Sequence, residues 1–364
     1  MKIQELIHPL EELAPGYLQE AYDNSGLLVG DLKRNIEKAI ITLDVTEKVL
    51  EEANDKKAGL IIAHHPLIFK GIKGLTGKNA VERMVETAIK NDIAIYAIHT
   101  NLDNVDTGVN AILCKKLGIK DTRILDPKKD LLRKLVVFCP VDDATKVREA
   151  MFDAGAGHIG DYDSCSYNIT GEGSFRGSSN TNPYVGEKEK LHFEKEIRIE
   201  TIYPVYHENK IIRAMIDAHP YEEVAYDIYP LGNEFGKTGA GMIGFLKEPE
   251  PAESFLNKVK DITKTGCIRY SGDINRMVTK VAVCGGAGSF LIGKAKQAEA
   301  DIFLTGDIKY HDFFESEEKM VIADIGHYES EQFTKELIHS VLIQKFPTFA
   351  VLISETNTNA VNYL

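Results

Sequence analysis

Leu60-Ile61-Ile62-Ala63-His64-His65-Pro66 is a short apolar run that ends in two adjacent histidines and a proline. Its length and β-branched content predict a buried strand. Neighbouring residues at a strand end point to opposite sides, so the two imidazoles reach points a few ångströms apart. Pro66 stops the strand and fixes the backbone beside the pair. Taken alone, the pair reads equally well as metal ligands or as core histidines.

Working outward, the run is the second strand of a strand–helix–strand unit. Ala39–Val45 is the first strand, Thr46 is a suitable N-cap, and Glu47 to Lys57 is the helix. A further helix, about Asn79 to Asn91, leads to the strand Ile93–Ile98, which ends in His99-Thr100-Asn101-Leu102-Asp103. This alternation predicts a parallel, doubly wound α/β sheet whose functional edge lies beyond the strands' carboxyl ends. After residue 232 the rhythm resumes, with strands at Lys280–Cys284, Asp301–Leu304 and Met320–Ile325. The last of these ends in Gly326-His327-Tyr328-Glu329-Ser330-Glu331, so His327-x-x-x-Glu331 answers His99-x-x-x-Asp103. The repeat predicts two similar α/β lobes, 1–128 and 233–364, facing a shared cleft. Between them, 129–232 reads strand, helix, strand, strand, helix, strand, the order of a ferredoxin-like α+β insert.

Composition narrows the function. Hydrophobic residues make up 43% and charged residues 27% of the 364, as in soluble globular proteins. The formal net charge of -12 argues against a sequence-independent grip on nucleic acid. No run suits a membrane span or a signal peptide, so a cytoplasmic location is expected. Five cysteines without a CxxC pair argue against disulfides and thiolate zinc sites. A metal would have to use His and carboxylate, which suits zinc, iron or manganese.

Four strand-end segments supply such groups: His64 with His65, His99 with Asp103, Asp307 with His311, and His327 with Glu331. Five of the eleven histidines fall in them. A His-x-x-x-Glu pair on a helix puts both side chains on one face, although exposed pairs of this spacing are common. Together the segments exceed the needs of one tetrahedral ion and suit two ions about 3.5–4 Å apart with a bridging carboxylate. Glu331, with the longer arm, suits the bridge better than Asp103. The turn Gly285-Gly286-Ala287-Gly288-Ser289 reads either as a phosphate cradle or as a plain tight turn. Asp23-Asn24-Ser25-Gly26 reads as a turn or as support for the cleft, and His219-Pro220-Tyr221 as a cap or interface.

Asp23-Asn24-Ser25-Gly26-Leu27, His64-His65-Pro66-Leu67-Ile68-Phe69, His99-Thr100-Asn101-Leu102-Asp103, Thr305-Gly306-Asp307 and His327-Tyr328-Glu329-Ser330-Glu331 together resemble the NIF-three-like proteins. These are also labelled GTP cyclohydrolase 1 type 2 homologues. The insert resembles the PII/CutA-like domain of their longer bacterial members. The resemblance implies two divalent ions per subunit, zinc first, with iron or manganese as alternatives. It assigns His65, Asp103 and Glu331 to one ion and His64, His327 and Glu331 to the other. His99 is similar to a residue standing behind the ligands. The resemblance also implies a toroidal homohexamer, a trimer of dimers, with the insert capping its openings. For activity it implies a metal-dependent hydrolase acting on a nucleotide or related small molecule. The competing reading is a non-catalytic metal-binding regulatory or adaptor protein whose insert senses a ligand. No catalytic residue is assigned.

Overall fold

The buried Ile, Val and Ala runs become the central strands of two sheets, and the computed structural model describes all 364 residues. The chain divides into two compact units, one of Met1–Pro127 with Gly236–Leu364 and one of Lys128–Phe235.

In the first unit, one sheet has the order Gly26–Val29, Ala94–Ala97, Leu60–Ala63, Lys38–Thr42, Ala350–Ile353. Its last four strands are parallel and Gly26–Val29 is antiparallel to its neighbour. Leu60–Ala63 and Ala94–Ala97 are buried throughout, which only apolar residues on both faces permit. The second sheet has the order Arg269–Ser271, Val321–Asp324, Ile302–Gly306, Met277–Ala287, Phe235–Pro251, Lys120–Lys128. It too has three parallel central strands and an antiparallel edge strand. Each sheet takes one strand from the far side of residues 128–235: Ala350–Ile353 joins the first and Lys120–Lys128 the second.

Local chemistry sets the connections. Thr46 Oγ1 accepts from Val49 N at 3.2 Å and opens the helix Glu47–Asp55. Asn79 Oδ1 accepts from Glu82 N at 2.9 Å and opens Ala80–Lys90. Beyond Ala63 the ladder continues, with His64 N donating to Thr42 O at 3.2 Å and His65 N to Leu43 O at 2.9 Å. The histidines therefore leave the sheet on a tethered backbone.

Two expected elements differ. The strand expected to stop at Cys284 runs on to Ala287, so Gly285 and Gly286 belong to the sheet rather than to a turn. The strand rhythm calls for a helix before Ile302–Gly306; it is a 3₁₀ turn, Ser289–Leu291, followed by the short helix Ile292–Gln297.

In the second unit, the strands Tyr167–Phe175, His192–Pro204, Leu132–Pro140 and Tyr226–Leu231 form an antiparallel sheet in that order. Val147 and Met151 of helix Ala144–Asp153 share a core with Ile211 and Met215 of helix Glu208–Ala218 and with Leu135, Val137 and Ile199 of the sheet. His219 ends the second helix, with Nε2 at 2.9 Å from Phe138 O and Nδ1 accepting from Tyr221 N at 3.1 Å. It is a cap.

Candidate metal centre

Three parallel strands of the first unit end within reach of one another. Leu60–Ala63 delivers His64 and His65. Ala94–Ala97 leads into the turn Thr100–Asp103, and Val321–Asp324 into the helical turn His327–Glu331. One turn of helix puts His327 Nε2 3.2 Å from Glu331 Oε2. His65 Nε2 lies 3.0 Å from that same oxygen and 3.4 Å from His327 Nε2. On the other side, His64 Nε2 lies 3.6 Å from Asp103 Oδ1 and 3.8 Å from Glu331 Oε1. Three sets of ligand atoms each lie within a 4.8 Å span, and the two that contain a carboxylate are His65, His327, Glu331 and His64, Asp103, Glu331. A tetrahedral ion with bonds of about 2.1 Å separates its ligands by about 3.4 Å. Both sets fit such an ion.

Hydrogen bonds fix which ring nitrogen is free. His64 Nδ1 is 2.8 Å from the carbonyl of Ile98, which can only accept, so Nδ1 carries the proton and Nε2 a bare lone pair. His65 Nδ1 is held by Asp44 Oδ1 at 2.7 Å and His327 Nδ1 by Asp307 Oδ2 at 2.8 Å. A carboxylate behind an imidazole is the usual support for a metal-ligating Nε2. His64 Nε2 and Asp103 Oδ1 are both buried without a hydrogen-bond partner. Two electron-rich atoms left facing each other in the interior call for a proton or a metal ion between them.

The electrostatics agree. Burial and the Glu331 charge push the Asp103 carboxyl well above its ordinary range. Glu331 is held well below its own, because the three imidazoles outweigh its burial. Burial lowers His64. His65, only partly buried, is pushed up to about 10 by Asp44 and Glu331 against the desolvation that lowers it. His327 rises to about 9 against its burial, under Glu331 and Asp307. In the metal-free protein, protons therefore occupy the sites that a divalent ion would take.

The distances group the ligands differently from the resemblance: His64 goes with Asp103, and His65 with His327. His99 stands nearer than expected, its ligand atom within 4.8 Å of those of His64 and His65. Its Nδ1 is tied to Asp23 Oδ1 at 2.7 Å, so the polar turn at 23–26 does support the cleft. Asp307 backs His327, whereas His311 lies apart, packed on Tyr310 and Phe314. Asp44 was not anticipated; its signal was its place just beyond a parallel strand, Lys38–Thr42, beside the one carrying His65.

The glycine run has another use than phosphate. Gly285 N donates to Asn110 Oδ1 at 2.8 Å and Gly286 N to Ser330 Oγ at 2.9 Å, so neither amide is free for an anion. On the His65–His327 side opens a cleft of ≈ 500 Å³ lined by Asp44, Arg269, Asp307, Tyr328 and Tyr363 among others. No helix of the chain is long and apolar enough to cross a membrane.

The fold and site define a class: a mixed α/β protein with several sheets, whose strand ends gather His and carboxylate groups able to hold metal. The profile of the Duf34/NIF3 (NGG1p interacting factor 3) family matches residues 1–360, and the chain belongs to that family. A Bacillus subtilis relative named "GTP cyclohydrolase 1 type 2 homolog" is 39% identical, over 99% of this chain and 98% of its own. A Halalkalibacterium halodurans relative of the same name is 39% identical over the same shares. Among solved structures, a Bacillus cereus protein related to NIF3 superposes with a TM-score of 0.87 at 39% identity, covering 100% of this chain and 99% of that one.

Proposed function

We propose that His64, Asp103 and Glu331 hold one divalent ion and His65, His327 and Glu331 a second, zinc ahead of iron or manganese. On this reading the protein is a metal-dependent hydrolase acting on a nucleotide or related small molecule. The observation that carries it is the buried, unpartnered pair His64 Nε2 and Asp103 Oδ1, with Glu331 turning one oxygen to each ligand set. When bound, such a pair supplies Lewis acidity and lowers the pKa of water.

The chain's own residues do the rest. Ile98 O, Asp44 and Asp307 fix the tautomers of the three ligating imidazoles. His99, oriented by Asp23, offers Nε2 to hold or move a proton beside them. The cleft next to His65 and His327 is where a substrate would lie. The two sheets' matching strand orders support the reading of two similar lobes. The order second, third, first, fourth in unit 128–235 supports a ferredoxin-like insert. A cytoplasmic homohexamer completes the proposal, and light scattering of the purified protein tests the assembly.

The test is metal content after zinc loading, beside Glu331→Gln. Two ions per chain in the wild type and a near-complete loss of both in the variant are expected. Two ions retained by Glu331→Gln would overturn the shared ligand. Loaded wild type is then screened for hydrolysis of nucleotides and related metabolites; turnover that disappears in Glu331→Gln supports the hydrolase, and uniform inactivity removes it.

A further inference from the structure

The stretch after Ile353 has no regular secondary structure, yet it makes a series of directed contacts. Ser354 Oγ and Thr356 Oγ1 donate to Glu52 Oε2 at 2.6 and 2.7 Å, and Glu355 N donates to Glu52 Oε1 at 2.9 Å. Thr358 Oγ1 then donates to Asp44 Oδ2 at 2.7 Å. The other oxygen of that carboxylate, Oδ1, lies 2.7 Å from His65 Nδ1. One residue on, Asn359 Nδ2 donates to Glu329 Oε1 at 2.9 Å, and Tyr363 OH reaches the same oxygen at 3.2 Å. Glu329 is buried, between His327 and Glu331 on one helical turn.

From this geometry we infer that Thr358 is a positioning residue for the ion held by His65 and His327, acting through Asp44. The inference rests on the two-ion reading above. A carboxylate bonded at one oxygen only can rotate about its terminal torsion, which is broad and shallow. Thr358 holds the second oxygen, so the first stays on His65 Nδ1 and Nε2 keeps its lone pair toward the metal. Asn359 and Tyr363 hold the turn that carries the partner ligands. The C-terminal segment thereby ties the strand end behind His65 to the helix of His327, and it also walls the cleft. Asp103 and His64 have no such link to it: His64 Nδ1 is held by the Ile98 carbonyl instead. The effect should fall on one ion of two.

Loss of an outer partner of a ligating histidine typically weakens binding 10–100-fold. The experiment follows zinc release from the loaded full-length protein into a chromophoric chelator, for wild type, Thr358→Val and Thr358→Ser. Valine keeps the shape and removes the donor; serine keeps the donor. Thr358→Val leaves Asp44 in place, so the expected result is one of the two ions leaving several-fold faster, up to about 10-fold, the other unchanged, and the wild-type rate in Thr358→Ser. Thr358→Ala makes the same test if valine impairs folding. Equal release of both ions at wild-type rates, or a serine variant as defective as valine, overturns the inference while leaving the two-ion reading intact. A wild type that takes up no zinc overturns both.

Discussion

Gly286 lies against Glu331 so closely that a Cβ on it would stand 2.3 Å from Oε1. The same atom would be 3.3 Å from His327 Cε1, and Gly286 has φ +63°, a left-handed conformation. The strand therefore runs bare backbone past the ligands. Gly286→Ala should displace the Glu331 carboxylate, which faces both ligand sets, and strain the backbone by about 1 kcal/mol. The expected outcome is a folded protein, by circular dichroism, that retains less than half of the wild-type zinc. Full metal content in the alanine variant would show that Glu331 has other room.

Asp103→Asn should change stability in opposite directions with and without metal. In the metal-free protein the Asp103 carboxyl is pushed toward its protonated form, and its buried Oδ1 stands 3.6 Å from the buried His64 Nε2, beyond a good hydrogen bond. An asparagine amide turned toward His64 supplies a donor without the cost of holding a buried carboxyl protonated. Metal-free Asp103→Asn should thus be more stable than wild type by about 1–2 kcal/mol. A neutral amide is a poorer ligand, so the gain in stability on adding zinc should shrink. Thermal unfolding of both proteins with chelator and with zinc measures the two effects. A variant less stable than wild type in chelator would contradict the account of the unpartnered pair.

Removing the carboxylate behind His327 tests the same logic on the other side. Asp307 Oδ2 holds His327 Nδ1 at 2.8 Å, and the contact is half open to solvent. Asp307→Asn leaves a group that can still accept but carries no charge, so zinc affinity should fall only about 10-fold, the low end for such partners. Competition with a chelator of known affinity reads this directly, and an unchanged affinity would remove Asp307 from the site.

What the sequence made legible followed from strand position and side-chain type. His64, His65, His99, Asp103, His327 and Glu331 all follow parallel strands, and apolar runs reveal that a strand is present even where its exact end shifts by a few residues. Which imidazole lies beside which carboxylate was not legible, because that depends on torsions after the strand has ended. Asp44 and Thr358 were hidden for a different reason. Each is an ordinary polar residue in its own surroundings, and their partnership spans most of the chain. The glycines at 285 and 286 showed as a signal, but their role depends on Glu331, brought beside them by the fold. Likewise Ala350–Ile353 and Lys120–Lys128 carry no mark of the sheet they join.

Acid should loosen the C-terminal segment through Glu52. That carboxylate accepts from Ser354, Glu355, Thr356 and Lys56, which together outweigh its burial and lower it from 4.5 to about 2. An acid depressed in the folded state stabilises it above the unfolded value, and that contribution is lost as pH falls toward the folded value. The window here runs from about pH 4.5 down to about 2. The side chain is only 11% exposed, so the contribution at neutral pH is roughly 1–3 kcal/mol after screening. Glu52→Gln removes the charge at every pH. Urea unfolding should show the variant less stable than wild type by that amount at pH 7, with the difference narrowing at pH 3. Because the same segment carries Thr358, Glu52→Gln should also speed zinc release from the His65–His327 side. A stability difference that stays constant from pH 7 to pH 3 would show that the Glu52 charge does not hold the segment.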